Sequence, residues 1–387
     1  MEKKIKIALF VPWLKSKGGV ERIVLSILKD KRYCIDLYTL GYDKEKTFSD
    51  FKEFKVRQIG SANTNGFLRK GAGLFFGLLT KKIKNLDKYD IFMISTAGIA
   101  ELAVFRNRHS LTIALTHTPL RVAHSMYNYY RTSSLKFRMS LPILVPIYRI
   151  LERNAWKHIS YAIVLSDEVR SRLVGYKLID SNRIFKIGPN ADFGKHSKGR
   201  VDKVIFYPSR FIPYKRQDLA VKAFIKSKLP SLGFKLVIGG FVESESYFKT
   251  LKELSAGRSD IIIERDISEK RLRELYSKCY ATLFLAINED TGLVPLESLA
   301  YGKPVVSANE GGPREFIKNG VNGILVEANE ADLAGALNKI LDKRYYENLR
   351  KGALNSPVYD ERLMIKNLDT AIDNIIRRGR TKNKNGK

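Results

Sequence analysis

The feature that most constrains this chain is the segment 281–312, ATLFLAINEDTGLVPLESLAYGKPVVSANEGG. A wholly apolar run (ATLFLAI) enters a polar loop (NEDTG) and a short helical stretch (LVPLESLAY), after which a second apolar run (PVVSA) follows. Pro295 suits the first turn of that helix, where no backbone N–H partner is lost. Gly302 suits the left-handed position just past its end. Strands this apolar, without polar alternation, are covered on both faces, and that requires a parallel sheet joined by helical crossovers. The segment therefore predicts a β-α-β unit of an α/β fold.

Ligands of such sheets sit at the carboxyl ends of the strands. Glu289 falls at that end, and Glu297 lies near the start of the next helix. A helix amino terminus offers free N–H groups and a partial positive charge. Thr291, Gly292, Leu293 and Val294 can thus hold a phosphate while the two carboxylates accept sugar hydroxyls. Carboxylates beside an anion hole point to a sugar nucleotide. Two such glutamates on a solvated loop and helix face would mean nothing alone, so the rest of the chain must decide.

With 387 residues, 44% of them hydrophobic and 11% aromatic, the chain is long and apolar enough for two ordinary domains. Cys34 and Cys279 are its only cysteines, which excludes a disulfide framework and predicts a reducing, cytoplasmic setting. The opening MEKKIKIALFVPWLKSKGG lacks a small-residue cleavage site and predicts a first strand, not a signal peptide. A net charge of +29 attracts polyanions, either nucleic acid or an anionic membrane surface. No zinc spacing, RNP-like aromatic segment or basic heptad helix supports nucleic acid. No apolar run approaches the roughly 20 residues that span a bilayer.

Further strands are predicted at KIKIALFVP, DIFMISTAG, LTIALTHTPLR, YAIVLS, KVIFYP and FKLVIGG. The first leads to Gly18 and Gly19 and then to helical spacing, so the backbone can approach a ligand closely there. The third ends at His117, followed by Thr118, Pro119, Leu120 and Arg121. After KVIFYP come Arg210 and Lys215, fixed cations in the loop before the next helix. A leaving nucleoside diphosphate gains negative charge as its bond to the sugar breaks, and such cations stabilise that change. Segments 66–84, with Arg69, Lys70, Lys81, Lys82 and Lys84, and 121–157, rich in Tyr, Arg and Lys, predict basic amphipathic helices. Such helices can lie in a bilayer interface. Glu315 is expected to act only as a first-turn acid of its own helix.

The order strand, Glu, Gly-Leu-Val-Pro-Leu-Glu, Gly-Lys-Pro-Val-Val, Gly-Gly-Pro-Arg-Glu resembles the donor-site segment of the retaining glycosyltransferases of family 4. The likeness extends from the Gly-Gly loop to about Leu341. Where that family often has Glu-Gly-Phe-Gly, this chain has Glu289-Asp290-Thr291-Gly292. The run Pro189-Asn190-Ala191-Asp192-Phe193 is similar to the signature that ends the family's first domain.

The resemblance implies a GT-B fold: α/β, with two Rossmann-like domains whose parallel sheets face a central cleft. It divides the chain into an acceptor domain at 1–196 and a nucleotide-sugar domain at 197–362, with the polar run 194–202 as the linker. A helix at 363–380 crosses back to the first domain, and a basic tail occupies 381–387. It implies that Glu289 holds the transferred sugar, Glu297 the ribose, and Arg210, Lys215 and the backbone around Gly292 and Leu293 the diphosphate. Gly18 and Gly19 border donor and acceptor, His117 orients the sugar or acceptor beside Arg121, and Arg265 and Asp266 touch the nucleobase.

No metal is implied, and no cofactor beyond the donor, GDP-mannose or a UDP-sugar. Around NEDTGLVPLESL the likeness is to mannosyltransferases of lipid-linked oligosaccharide assembly, which implies a lipid-linked or other glycan acceptor and a peripheral position on the cytoplasmic membrane face. The alternatives are a soluble sucrose- or glycogen-type glucosyltransferase and, from another class, a basic nucleic-acid-binding protein on a degenerate scaffold.

Overall fold

The computed structural model describes residues 4–60, 67–191 and 201–384. It divides into two compact units, Met1–Gly188 with Glu361–Lys387, and Pro189–Asp360.

The first unit is built on strands β1 (Ile5–Phe10), β3 (Tyr33–Thr39), β5 (Val56–Gln58), β6 (Ile91–Thr96), β7 (Thr112–Thr116), β8 (Tyr161–Val164) and β9 (Ile184–Lys186). A short pair, β2 (Trp13–Leu14) and β4 (Gly41–Tyr42), stands apart. The large sheet runs β5-β3-β1-β6-β7-β8-β9, all neighbours parallel. Successive strand residues point to opposite faces. Ile7 and Leu9 pack with Ile23, Val24 and Ile27 of α1 (Gly19–Lys29), whereas Ala8 and Phe10 belong to the other face, with Leu78 of α2 (Phe67–Thr80). Both faces are therefore dry, which is why these strands lack polar alternation. Helices α3 (Tyr127–Ser133), α4 (Leu135–Trp156) and α5 (Asp167–Gly175) complete this part of the unit.

The second unit carries β10 (Val204–Pro208), β11 (Lys235–Gly240), β12 (Ile261–Arg265), β13 (Ala281–Phe284), β14 (Val305–Ala308) and β15 (Gly323–Val326), in the order β12-β11-β10-β13-β14-β15. Its helices are α6 (Gln217–Lys226), α7 (Glu245–Leu254), α8 (Glu269–Lys278), α9 (Leu293–Ala300), α10 (Pro313–Phe316), α11 (Glu330–Lys339) and α12 (Lys343–Leu354). Both sheets start at a central strand, grow to one side, and then return to grow on the other. The reversal leaves a crevice at the carboxyl ends of β1 and β6, and of β10 and β13.

The boundary expected at 196/197 lies at 188/189 instead. Ala191 N–H donates to Tyr359 O at 2.7 Å, and the Ala191 side chain packs with Leu296 and Phe316, which ties this stretch to the second unit. Asp192, Phe193 and nearly all of the expected linker lie outside the described residues, as does 385–387 of the tail. The last helix, α13, spans Glu361–Lys384, longer at both ends than the expected 363–380. It belongs to the first unit because Met364, Leu368, Ile372 and Ile375 cover the sheet face that carries Ile7 and Leu9. The two basic helices also differ. In α2, Leu74, Phe75, Leu78 and Leu79 are spent on the core and, among the described side chains of that helix, Phe76 alone of the large hydrophobics stands out, whereas α4 leaves much of its apolar surface exposed. Arg69 and Lys70 are among the side chains outside the description.

Candidate functional site

In the second unit the site forms where the strand order reverses. The loop after β10 is pinned from below: the Tyr207 hydroxyl donates to Lys215 O, Leu285 N–H donates to the Tyr207 hydroxyl at 3.0 Å, and Ile287 N–H donates to Tyr214 O at 2.9 Å. Gln217 Nε2 holds Arg210 O at 2.8 Å. This framework brings the Lys215 ammonium into an ion pair with the Glu289 carboxylate. Lys215 is buried, and its ammonium also lies 5.3 Å from the Phe284 ring centroid and 5.5 Å from that of Tyr214. A desolvated cation is thus fixed at the carboxyl end of the two central strands. Arg210 reaches the same loop from outside, paired with Glu243 and donating to the Tyr214 hydroxyl at 3.0 Å.

Glu289 is seated by the two glycines after β14. Gly312 N–H donates to Glu289 O at 2.8 Å. A Cβ on Gly311 would lie 2.3 Å from the same oxygen, so only glycine lets the two loops touch, and Gly311 also has φ +63°. Arg216 closes the arrangement. Its guanidinium donates to Glu310 Oε1 at 2.7 Å and Leu285 O at 3.3 Å, while Glu310 Oε2 accepts from Asn288 N–H at 3.2 Å.

Gly292, at φ +82°, caps α9, and Leu293 and Val294 open that helix beside the buried Thr291. Glu297, one turn further on, is buried, and Tyr276 on α8 donates to its Oε2 at 2.5 Å. Tyr276 is itself clamped between Tyr301 (centroids 5.4 Å, stacked) and Phe206 (5.3 Å, edge-on). Burial and the Glu297 charge push the Tyr276 hydroxyl well above its ordinary pKa, so it stays a donor to the carboxylate. Asp266 takes the left-handed conformation and accepts from Val242 N–H at 3.1 Å, and Arg265 pairs with Glu245. Glu315 lies in the single turn of α10.

In the first unit the residues singled out also sit at carboxyl ends of strands. Gly18 caps α1 and Gly19 opens it. The buried Glu21 carboxylate accepts from Ser16 Oγ at 2.5 Å, and its other oxygen lies 2.8 Å from where a Gly18 Cβ would stand. His117 follows β7; its N–H donates to Thr96 O at 2.9 Å and its Nε2 lies 2.9 Å from Ser95 Oγ. Burial pushes the imidazole pKa down to about 4, so His117 is neutral at physiological pH. Arg121 opens the 3₁₀ turn Arg121–Ala123.

Behind this loop lies a buried polar chain that the residue patterns did not reveal. Thr96 Oγ1 donates to Glu101 Oε2 at 2.6 Å. The Tyr148 hydroxyl lies 2.8 Å from Glu101 Oε1, 3.2 Å from Glu152 Oε1, and against Gly98 O. Glu152 Oε2 and His124 Nε2 are 2.6 Å apart, and the His124 ring stacks on Tyr176. Burial, then repulsion from Glu152, raises the Glu101 pKa to about 7. Arg149 adds bonds to Ala123 O at 2.9 and 2.5 Å. Tyr148, Arg149 and Glu152 all belong to α4, so that helix holds the loops following β6 and β7. The only sequence signal was the position of Glu152, the sole acid between residues 102 and 166. Among the described residues no group of three or more His, Cys, Asp or Glu is placed to hold a metal ion.

Residues 190–355 match the family model for glycosyl transferases group 1. Alpha-1,3/1,6-mannosyltransferase ALG2 of Dictyostelium discoideum is 24% identical over 88% of this chain and 90% of its own length. The Homo sapiens ALG2 is 29% identical over 84% of each. Among solved structures, Anabaena Alr3699/HepE in complex with UDP aligns with a TM-score of 0.71 at 17% identity, covering 96% of this chain and 100% of that one. Residues 190–355 thus match the glycosyl transferases group 1, and the chain as a whole has the GT-B fold and is similar over most of its length to ALG2 mannosyltransferases.

Proposed function

We propose that the protein transfers a hexosyl group, mannose in the first instance, from a nucleoside diphosphate sugar to a lipid-linked saccharide, with retention of anomeric configuration. The observation that carries this is the Lys215–Glu289 pair at the switch point of the second sheet. A buried cation and a carboxylate side by side match the two ends of a sugar nucleotide, an anionic diphosphate and a hydroxyl-bearing ring. In this reading Glu289 accepts the sugar hydroxyls and Glu297, oriented by Tyr276, the ribose. Arg210, Lys215 and the backbone at Thr291, Gly292, Leu293 and Val294 take the diphosphate. Gly18 and Gly19 border the donor, while His117, neutral and held by Ser95, orients the transferred sugar, and Arg121 meets the acceptor.

The resemblance to the retaining enzymes of family 4 favours attack by the acceptor hydroxyl on the face that the diphosphate leaves. The bond from acceptor oxygen to anomeric carbon forms as the bond from that carbon to the phosphate oxygen breaks, and the leaving phosphate takes the acceptor's proton. Arg210 and Lys215 stabilise the growing charge, so no metal ion is required. The likeness to ALG2 supports mannose and GDP-mannose; the UDP bound by HepE keeps a UDP-sugar as the second donor to try. A lipid-linked acceptor is met peripherally, on the cytoplasmic face of a membrane.

A screen of UDP-, GDP- and ADP-sugars tests this, following donor hydrolysis and transfer to a short-chain polyprenyl diphosphate saccharide, with the product anomer read by NMR. Turnover of one hexosyl donor, with retention, is expected. Inactivity toward every donor, or an inverted product, overturns the proposal.

A further inference from the structure

Helix α4 is apolar on two opposite faces. Leu141, Val145 and Trp156 are buried against the first unit, whereas Leu135, Met139, Ile143, Leu144, Ile147 and Ile150 are 54–72% exposed. At 3.6 residues per turn, positions 135, 139, 143, 147 and 150 form one stripe on the side away from 141 and 145. These six are among only sixteen large hydrophobic side chains that stand exposed among the described residues. An apolar stripe of this kind on one helix marks a binding surface.

The charge around the stripe identifies what covers it. Lys136 and Arg138 flank its start, Arg153 and Lys157 its end, and Arg131 precedes it on α3; all five are exposed. Glu152, the one acid in the region, is buried against His124 and faces inward. A second copy of the chain would set these cations against each other, so self-association is disfavoured. An anionic bilayer satisfies both features, with the apolar stripe at the acyl boundary and the cations among the phosphates. No helix among the described residues is long and apolar enough to cross a membrane. Pro142 and Pro146 moreover leave the carbonyls of residues 138 and 142 without their helical N–H partners. Backbone of that kind needs the hydrated headgroup layer and not the hydrocarbon interior.

We propose that α4 is an in-plane membrane anchor whose outer stripe docks on anionic lipid. Its inner face, through Tyr148, Arg149 and Glu152, then presents the loop carrying His117, Arg121 and His124 at the lipid surface. This rests on the lipid-linked acceptor proposed above and names the element that meets the bilayer. Docking and acceptor positioning are then two faces of one helix.

The test uses the full chain with vesicles of phosphatidylglycerol and phosphatidylcholine, and with phosphatidylcholine alone, in co-sedimentation at low and high salt. Wild type is expected to bind the anionic vesicles at low salt and to weaken as salt is raised. Ile143→Glu/Ile147→Glu is expected to bind on the order of a hundredfold more weakly, because two exposed aliphatic side chains that enter the bilayer on docking are replaced by charge. Val321→Glu, exposed in the other unit, should bind like wild type. Sugar-nucleotide hydrolysis without lipid should match in all three, which certifies folding. Absence of binding at low salt, or a double variant that binds equally well, overturns the anchor. A wild-type dimer by light scattering that the double variant dissolves overturns it in favour of a second copy. Vesicle binding with no hydrolysis of any sugar nucleotide would instead reject the transferase reading and leave the anchor standing.

Discussion

Replacing Gly311 by alanine tests whether the position of Glu289 is set by a backbone contact. Gly311 has φ +63°, a conformation that disfavours any other L residue by about 1–2 kcal/mol. Its new Cβ would stand 2.3 Å from Glu289 O and 2.8 Å from Glu289 N, whereas ordinary contact begins at 3.4 Å. About 1 Å of movement must therefore be found, and the backbone atoms of Glu289 are what lies in the way. Overpacking of this size adds about 1–3 kcal/mol, so the total loss is about 2–5 kcal/mol, within what a folded domain of about 5–15 kcal/mol survives. A displacement near 1 Å at a group that holds substrate lowers turnover on the order of a hundredfold.

Gly320 is the control. It has φ +76°, but the nearest atom to a Cβ placed there is Tyr345 Oη at 4.0 Å, so Gly320→Ala carries the strain without the clash. Urea unfolding of both variants, with donor hydrolysis at saturating substrate, separates the two effects. Gly320→Ala should lose about 1–2 kcal/mol and keep its activity. Equal stability losses in the two variants, or wild-type turnover in Gly311→Ala, would refute the claim that these glycines seat Glu289.

Lys215→Ala and Glu289→Ala should each abolish transfer, by at least about a hundredfold, while thermal unfolding remains cooperative; full activity in either would sink their assignment. Glu101 gives a pH signature. Its carboxyl rises from 4.5 to about 7 in the folded chain, so the folded form keeps a proton that the unfolded form releases. Its contribution is therefore present below pH 4.5 and lost as pH rises to about 7, on the order of 3 kcal/mol at most. Glu101→Gln should gain stability relative to wild type between pH 5 and pH 8 in urea titrations; a constant difference would mean that the buried carboxyl is already ionised. Chelation with EDTA is expected to leave transfer unchanged, because Arg210 and Lys215 provide the positive charge; loss of activity restored by a divalent ion would reverse that expectation.

The patterns legible along the chain were local ones. Apolar runs without alternation announced both parallel sheets, and Gly302 ended α9 at φ +66° where a left-handed residue was expected. Strands β3 and β5 escaped notice because β3, YCIDLYT, carries Asp36 in its middle, a charge accommodated in the fold by Arg57 on β5, at 3.1 Å, and by the Tyr89 hydroxyl. The 361–384 helix was visible as an amphipathic pattern, but its true length depends on the sheet face it covers.

What the sequence determined by itself was the layered α/β scaffold, its room for two domains, and the loops at strand ends where Gly18, His117, Arg210, Lys215 and Glu289 fall. Hydrophobic period and turn chemistry act over a few residues, so they can be read one window at a time. Tertiary structure alone decided the partners. Lys215 meets Glu289 across 74 residues and Arg216 meets Glu310 across 94, because parallel pairing sets neighbouring strand ends side by side. The same holds for Gly311 beneath Glu289 and for α4, whose inner residues found the loops after β6 and β7 while its outer stripe stayed exposed. Ion pairs and exposed faces are fixed by which strand ends the topology makes adjacent, and no local window contains that information.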